Sequence, residues 1–211
     1  MGKTKRDLPI IAFKSQQAWD AWLTSQPADS KGLWLKLAKK ASGIDSVSRQ
    51  EAVDAALCHG WIDGQLDSFD DDHWLIRFTP RQSSSRWSEK NRARALELVE
   101  LKRMKPAGLS EIERAKKDGR WSAAYAPQST AQVPDDLLAA LAKNKAAKSF
   151  FETLDSANRY AILYRIHDAK KPETRLARIE KFVAMLIEGK TIRPPKSKAL
   201  KSARNKARKR A

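Results

Sequence analysis

A predicted β-hairpin constrains the fold of this chain more than any other stretch. A helix is expected to end at Gly60, because glycine adopts the left-handed conformation that follows a helix at no steric cost. Two strand-like runs follow at 61–69 and 73–79, and the three aspartates between them are typical of a turn. The second run alternates in character, so the hairpin is predicted to bury one face carrying Trp74, Ile76 and Phe78.

Two further strands and two helices are predicted before this hairpin. The strand candidates are residues 9–13 and 32–39, and the second of these alternates as a half-buried strand does. Ser15 is a suitable N-cap for a helix to about residue 25, and a capping box of Ser48 and Glu51 begins the helix that ends at Gly60. The order strand, helix, strand, helix, hairpin predicts a small α+β layer.

Only helices are predicted after the hairpin. A polar connection at 82–85 leads to a helix capped by Ser88, on which Leu96 and Val99 are expected to face inward, and Pro106 opens the next helix. Residues 126–132 are polar and turn-rich, which indicates a domain seam. Further helices are predicted at 134–143, 146–154, 157–166 and 172–188. We therefore predict an α+β fold with three parts: a small sheet with helices at 8–125, an all-helical domain at 133–189, and a disordered basic tail at 190–211.

The basic tail carries most of the net charge. The chain has a formal charge of +17; residues 190–211 hold ten Lys or Arg and no acid, which leaves 17 − 10 = +7 for residues 1–189. Such a segment resembles arms that neutralise phosphates, so one hypothesis is a nucleic-acid-associated protein; an anionic membrane surface would attract the same charges. The alternative is that this C-terminal segment only increases the solubility of the protein. The candidate nucleic-acid-binding residues are Lys196, Lys198, Lys201, Arg204, Lys206, Arg208, Lys209 and Arg210.

Several short motifs resemble one bacterial family. They are Ala56–Gly64, Arg77–Arg81, Trp87–Asn91, Met104–Leu109, Asp118–Trp121, Tyr160–Tyr164 and Lys171–Arg175. In this order they resemble the bacteriocin-protection, YdeI/OmpD-associated (OmdA-like) family, over roughly residues 8–189. The resemblance implies a stress or defence role in resistance to bacteriocins or cationic antimicrobial peptides, and an association with an outer-membrane porin. It implies no catalytic residues, so we expect a non-catalytic protein that binds an unknown protein or small-molecule ligand.

A candidate ligand site surrounds the hairpin. Aromatic rings that exclude water, beside charges that fix orientation, are typical of a polar pocket, and an uncharacterised enzyme site is a further alternative. The structural alternative is that Asp63 and Arg77 form an ion pair across the hairpin while the tryptophans pack in the core. The candidate ligand-binding residues are Trp61, Asp63, Arg77, Arg81, Trp87 and Asn91.

Other classes of chemistry have little support in the sequence. Cys58, His59, Asp63 and His73 do not match the spacing of a closed zinc site, so no metal is predicted. Nothing in the sequence activates Cys58 as a nucleophile, and no phosphate-binding glycine loop is present, so we expect no cofactor. The chain has one cysteine, and we see no signal peptide and no apolar run of membrane-spanning length. These features predict a cytoplasmic protein, although the family has been described as periplasmic.

Overall fold

We describe the protein from a computed structural model, which covers residues 8–27 and 29–194. The chain divides into two compact units, one ending at Tyr125 and the other beginning at Ala126. The predicted α+β class is confirmed for these residues: a four-stranded sheet is accompanied by eight α-helices. The predicted disordered tail lies outside the described residues from 195 onward, and so do all eight of its candidate nucleic-acid-binding side chains.

The first unit contains the sheet and four helices. The sheet order is β1-β2-β4-β3; β1 is parallel to β2, and the other two pairs are antiparallel. The hairpin of β3 and β4 is therefore confirmed. The elements are β1 (Ile10–Ala12), α1 (Gln16–Thr24), β2 (Leu33–Ala38), a 3-10 turn (Lys40–Ser42), α2 (Arg49–Cys58), β3 (Trp61–Ser68), β4 (His73–Pro80), α3 (Glu89–Glu100) and α4 (Pro106–Lys117).

Local sequence signals set the helix boundaries in this unit. The Ser15 hydroxyl accepts a hydrogen bond from the backbone N–H of Ala18 at the start of α1. The capping box forms as predicted, with Ser48 and Glu51 bonding each other's backbone N–H at the start of α2. Gly60 has φ +75°, a left-handed conformation that lets the chain leave α2 and enter β3 directly.

One face of the sheet packs on α1 and α2 through aromatic rings. Trp19 is fully buried, stacks on Trp22 at 5.3 Å between ring centroids, and lies 5.4 Å from Phe78. Its indole N–H donates to the Ala52 carbonyl at 3.0 Å, which ties α1 to α2. Trp74 is only half-buried, at the margin of this core.

A second core lies among α2, α3 and α4. Ala95 and Leu98 are its buried contributions from α3, whereas Leu96 and Val99 are 46% and 39% exposed, so the predicted inward face of this helix is wrong by one residue. Helix α4 begins against the end of α2, where the Lys105 N–H donates to the Cys58 carbonyl at 3.1 Å. The α-carbon of Gly108 comes so near this end that an added Cβ would lie 2.3 Å from the same carbonyl oxygen.

The second unit contains four helices and no strand among its described residues. Its helices are α5 (Asp135–Ala142), α6 (Lys145–Thr153), α7 (Ser156–His167) and α8 (Pro172–Ile187). All four helices contribute to one core, with Leu137, Phe151, Ile162, Ile179 and Phe182 among its members. The chain continues past α8: Ile192 packs on this core, and the Arg193 N–H donates to the buried Asn158 side chain at 2.9 Å. The first residues after α8 are thus part of the packed unit.

Candidate functional site

The strand register separates two of the predicted site residues. Asp63 on β3 lies opposite Phe78 on β4, and Arg77 lies opposite Trp34 on β2. Residues directly opposite each other share a face of the sheet, and Arg77 alternates with Phe78, so Asp63 and Arg77 are on different faces. The predicted ion pair between them is therefore wrong.

Asp63 instead interacts with the helices that pack on its own face. The Arg49 guanidinium lies 3.9 Å from one carboxylate oxygen, and the Asn91 amide donates to the other at 3.5 Å. Trp61 is on the same strand and face, 5% exposed, with its ring edge against Trp22 at 5.6 Å. Its role in this geometry is packing.

Arg81 and Trp87 form the most unusual arrangement among the predicted residues. Arg81 is only 5% exposed, and its guanidinium lies over the Trp87 ring at 3.7 Å from the centroid. Its Nη1 donates to the Arg86 carbonyl at 3.1 Å, but Nε and Nη2 are buried without a hydrogen-bond partner among the described residues. Burial lowers the pKa of Arg81 to about 10, although the nearby carboxylates of Glu111 and Asp63 favour the charged form.

Two more arginines lie near Arg81, and each holds a carboxylate. Arg120 donates to both oxygens of Asp118, and its Nη1 donates to the Ser85 carbonyl at 2.6 Å. Arg114 bonds Glu111 and also reaches the Arg81 carbonyl at 3.4 Å. Sequence inspection did not assign Arg114 and Arg120 to the site, since both are far along the chain from the hairpin. Arg120 is part of the Asp118–Trp121 motif, but that motif does not indicate a position near Arg81.

A polar cleft of about 470 Å³ lies between α1 and the loop after α3. Lys102, Arg103 and Lys105 supply its positive charge, and Asp20 its negative charge. The Nε2 of His59 lies 3.0 Å from the Asp20 carboxylate. Burial raises the pKa of Cys58, which disfavours the thiolate that a nucleophile would need. Among the described residues, no group of three or more His, Cys, Asp or Glu side chains is placed to hold a metal ion.

The second unit carries an open groove between α5 and α8, with a volume of about 820 Å³. We call it the α5–α8 groove. Alanines form much of the α5 wall, and Leu176 and Ile187, which are 59% and 48% exposed, present large apolar side chains from α8. Arg175 and Asp136 join the two walls through paired hydrogen bonds of 2.5 and 2.9 Å. The apolar lining consists of Ala139, Ala140, Leu176, Ile179, Val183, Ala184 and Ile187.

Comparison with known proteins gives two family matches. Residues 130–189 match the family described as bacteriocin-protection, YdeI or OmpD-associated, and residues 11–111 match a domain of unknown function, DUF8412. No curated protein and no solved structure matches the chain. No helix in the described part is long and apolar enough to cross a membrane. The predicted resemblance is confirmed for the second unit, while most of the first unit matches the other domain instead. The similarity to the bacteriocin-protection, YdeI or OmpD-associated family therefore lies in the second unit, over residues 130–189.

Proposed function

We propose that this protein is a non-catalytic defence protein that binds amphipathic antimicrobial peptides in the α5–α8 groove. One observation carries the proposal: every residue that lines the groove falls within residues 130–189, the segment matched by the bacteriocin-protection family. The family description names bacteriocin protection, from which we infer a peptide ligand, and the groove supplies an apolar surface.

The walls of the groove suit a helical peptide. Two helices form its walls, and small side chains such as Ala140 and Ala184 let a partner approach the backbone. An amphipathic helix binds such a groove by laying its apolar face between the walls, with anchors about one turn apart. Exposed Leu176 and Ile187 would become buried in that complex, which gives a hydrophobic driving force.

The charges at the groove suit a cationic ligand at one position. Arg175 is already neutralised by Asp136, whereas Glu180 on the α8 wall is exposed and has no ion pair among the described residues. A lysine or arginine on the polar face of a bound peptide would find this carboxylate at the rim. We expect this contact to add selectivity more than affinity, because exposed ion pairs contribute little.

The proposal includes a cytoplasmic location. It is supported by the cysteine content: the single thiol, Cys58, is buried and free, as is usual in a reducing compartment. Binding of an incoming peptide after it has entered the cell would then limit its damage.

Peptide binding can be tested with exposed residues whose replacement leaves the core intact. We would titrate the full chain into a fluorescently labelled, cationic amphipathic peptide and compare Leu176→Glu with Leu138→Glu. Both leucines are about half exposed, but only Leu176 lines the groove. We expect Leu176→Glu to weaken binding about tenfold or more, from the loss of one buried leucine contact, and Leu138→Glu to change it little.

Bacteria that produce either variant should also be compared for survival after exposure to the same peptide. Equal affinity of the two variants would place binding outside the groove, and no measurable binding by the unmodified chain would refute the proposed function.

The basic tail is the basis of a second candidate function. Its charge, read from the sequence, favours non-specific binding of nucleic acid or anionic lipid at low salt. Removal of residues 195–211 tests this function, because it eliminates all eight candidate nucleic-acid-binding side chains.

A further inference from the structure

Arg81 has one edge of its guanidinium group without a partner. The Nε–H and one Nη2–H point the same way in any arginine, and they are spaced to meet two oxygens of one carboxylate. In Arg81 these two nitrogens are the ones that are buried and lack a hydrogen bond among the described residues. Unpaired buried donors are uncommon in folded proteins, and a buried cation without an acceptor is especially costly.

Other arginines of this chain show what this edge does when it is satisfied. In Arg94 the same two nitrogens donate to the two oxygens of Asp54 at 2.8 and 2.5 Å. Arg175 binds Asp136 in the same side-on manner. In Arg120 only Nε donates to Asp118; Nη2 lies 2.7 Å from a carboxylate oxygen but makes no hydrogen bond. Arg81 is more buried than any of the three, and it is the one of these four arginines in which both nitrogens of the edge lack a hydrogen bond among the described residues.

The rest of the Arg81 side chain is held in place. The Trp87 ring supports one face of the guanidinium, and the Arg86 carbonyl accepts from Nη1. The group is therefore already oriented, so a ligand would not have to restrict a flexible side chain.

The neighbouring carboxylates are engaged elsewhere. Glu111 is bonded to Arg114, and Asp63 is shared by Arg49 and Asn91. Arg120 lies close enough for its charge to disfavour the charged form of Arg81. A further negative charge at Arg81 would relieve that repulsion. The adjoining residues 82–84 are exposed, so the site borders the surface of the unit.

We propose that the Nε–Nη2 edge of Arg81, supported by Trp87, is a binding site for an oxyanion and takes the carboxylate group of a small molecule side-on. This site is separate from the α5–α8 groove and belongs to the unit that matches a domain of unknown function. The bound oxyanion would contact Arg81 as the Asp54 carboxylate contacts Arg94.

The test observes the Arg81 Nε–H directly by NMR in the full chain labelled with ¹⁵N-arginine. Sodium acetate, sodium phosphate and sodium chloride are titrated separately at equal ionic strength. We expect acetate or phosphate to shift the Arg81 Nε–H resonance to a saturating value, while the Arg94 Nε–H, which already has its carboxylate, stays in place. Arg81→Lys keeps the charge but lacks the paired donors, so it should weaken acetate and phosphate binding about tenfold or more.

Control results decide between a built site and a simple charge effect. Arg94→Lys is the matched control and should leave the Arg81 response unchanged. An equal shift with chloride would show ionic screening only and would overturn the proposal. So would an Arg81 Nε–H that responds to neither oxyanion, because a bound water then satisfies the edge. The readout uses the unmodified chain, so it holds even if Arg81→Lys fails to fold.

Discussion

Gly108→Ala should destabilise the first unit even though it replaces glycine in a helix. Alanine is favoured over glycine in helices by about 1 kcal/mol, so the usual expectation is a gain. At this position the new Cβ would lie 2.3 Å from the Cys58 carbonyl oxygen and 2.8 Å from that of Leu57. Those oxygens belong to the last turn of α2 and cannot rotate away.

The size of the effect follows from the movement required. Restoring an ordinary contact of 3.4 Å means moving α4 from α2 by about 1 Å (3.4 − 2.3). Such overpacking costs roughly 1–3 kcal/mol, and the shift also stretches the hydrogen bond from Lys105 to Cys58, worth roughly 1 kcal/mol. After subtraction of the helix gain, we expect a net loss of about 1–3 kcal/mol.

Tryptophan fluorescence during urea unfolding measures this loss in the relevant unit. All seven tryptophans lie between residues 19 and 121, so their emission reports on the first unit alone. Ser110→Ala, at an exposed position on the same helix, is the matched control and should leave the urea midpoint unchanged or slightly higher. A Gly108→Ala midpoint equal to or above that of the unmodified chain would show that the α2–α4 contact is looser than the geometry indicates.

Three further predictions use other contacts. Trp19→Phe should lower the unfolding free energy by about 1–2 kcal/mol in the same urea assay, because it removes the indole donor to Ala52 and part of a buried ring. A variant as stable as the unmodified chain would contradict this packing. Burial alone would raise the pKa of Asp54, but hydrogen bonds from Arg94 and Gln50 lower it below the usual value. This carboxylate therefore stabilises the fold at any pH above its unfolded pKa. The stabilisation is lost as the pH falls through the lower pKa of the folded state. Asp54→Asn should therefore lower the melting temperature at pH 7 and flatten its acid dependence; an unchanged dependence would refute the assignment. Removal of residues 195–211 should abolish low-salt binding of DNA or RNA without changing the melting temperature, whereas binding that persists would place the site on the folded units.

The truncation point in the last prediction comes from the structure. The sequence analysis began the tail at residue 190, because the composition becomes basic there. In the structure Ile192 packs on the helical core and Arg193 bonds Asn158, so a cut at 190 would also damage the second unit. A cut after Pro194 removes the basic tail and keeps the residues that stabilise the second unit.

Sequence inspection predicted those features that local patterns determine. The capping box of Ser48 and Glu51, the glycine stop at Gly60 and the alternating β4 strand each depend on residues a few positions apart, and all three are present. The fold class follows from their order.

Features that change with a shift of one residue could not be predicted from the sequence. A change of one in the pairing of β3 with β4 moves Asp63 to the other face relative to Arg77, and the turn sequence does not fix that register. Likewise, the packing of α3 with α2 and α4 places Ala95 and Leu98 in the shared core. The exposed position of Leu96 is a result of that tertiary packing.

Arg81 and Trp87 were candidate site residues from the sequence, but the contacts that define the sites could not be predicted, for a different reason. Arg94 finds Asp54 forty residues away, and the α5–α8 groove joins residues more than thirty positions apart. The unpaired edge of Arg81 is recognisable only by comparison with Arg94 and Arg175, in which the same edge binds a carboxylate. No single-sequence pattern encodes such distant pairings.

The order of the strands also affects how this protein behaves at high concentration. β1 and β3 form the two edges of the sheet, where unpaired backbone groups invite a strand from another molecule. β1 has only three residues, and on β3 the register shifts between Asp63 and Leu66, leaving Gly64 and Gln65 opposite Arg77. A β-bulge of this kind twists an edge and interrupts its row of donors and acceptors. Neither edge thus offers a long, regular template, and the sheet resists the edge-to-edge growth that leads to aggregation.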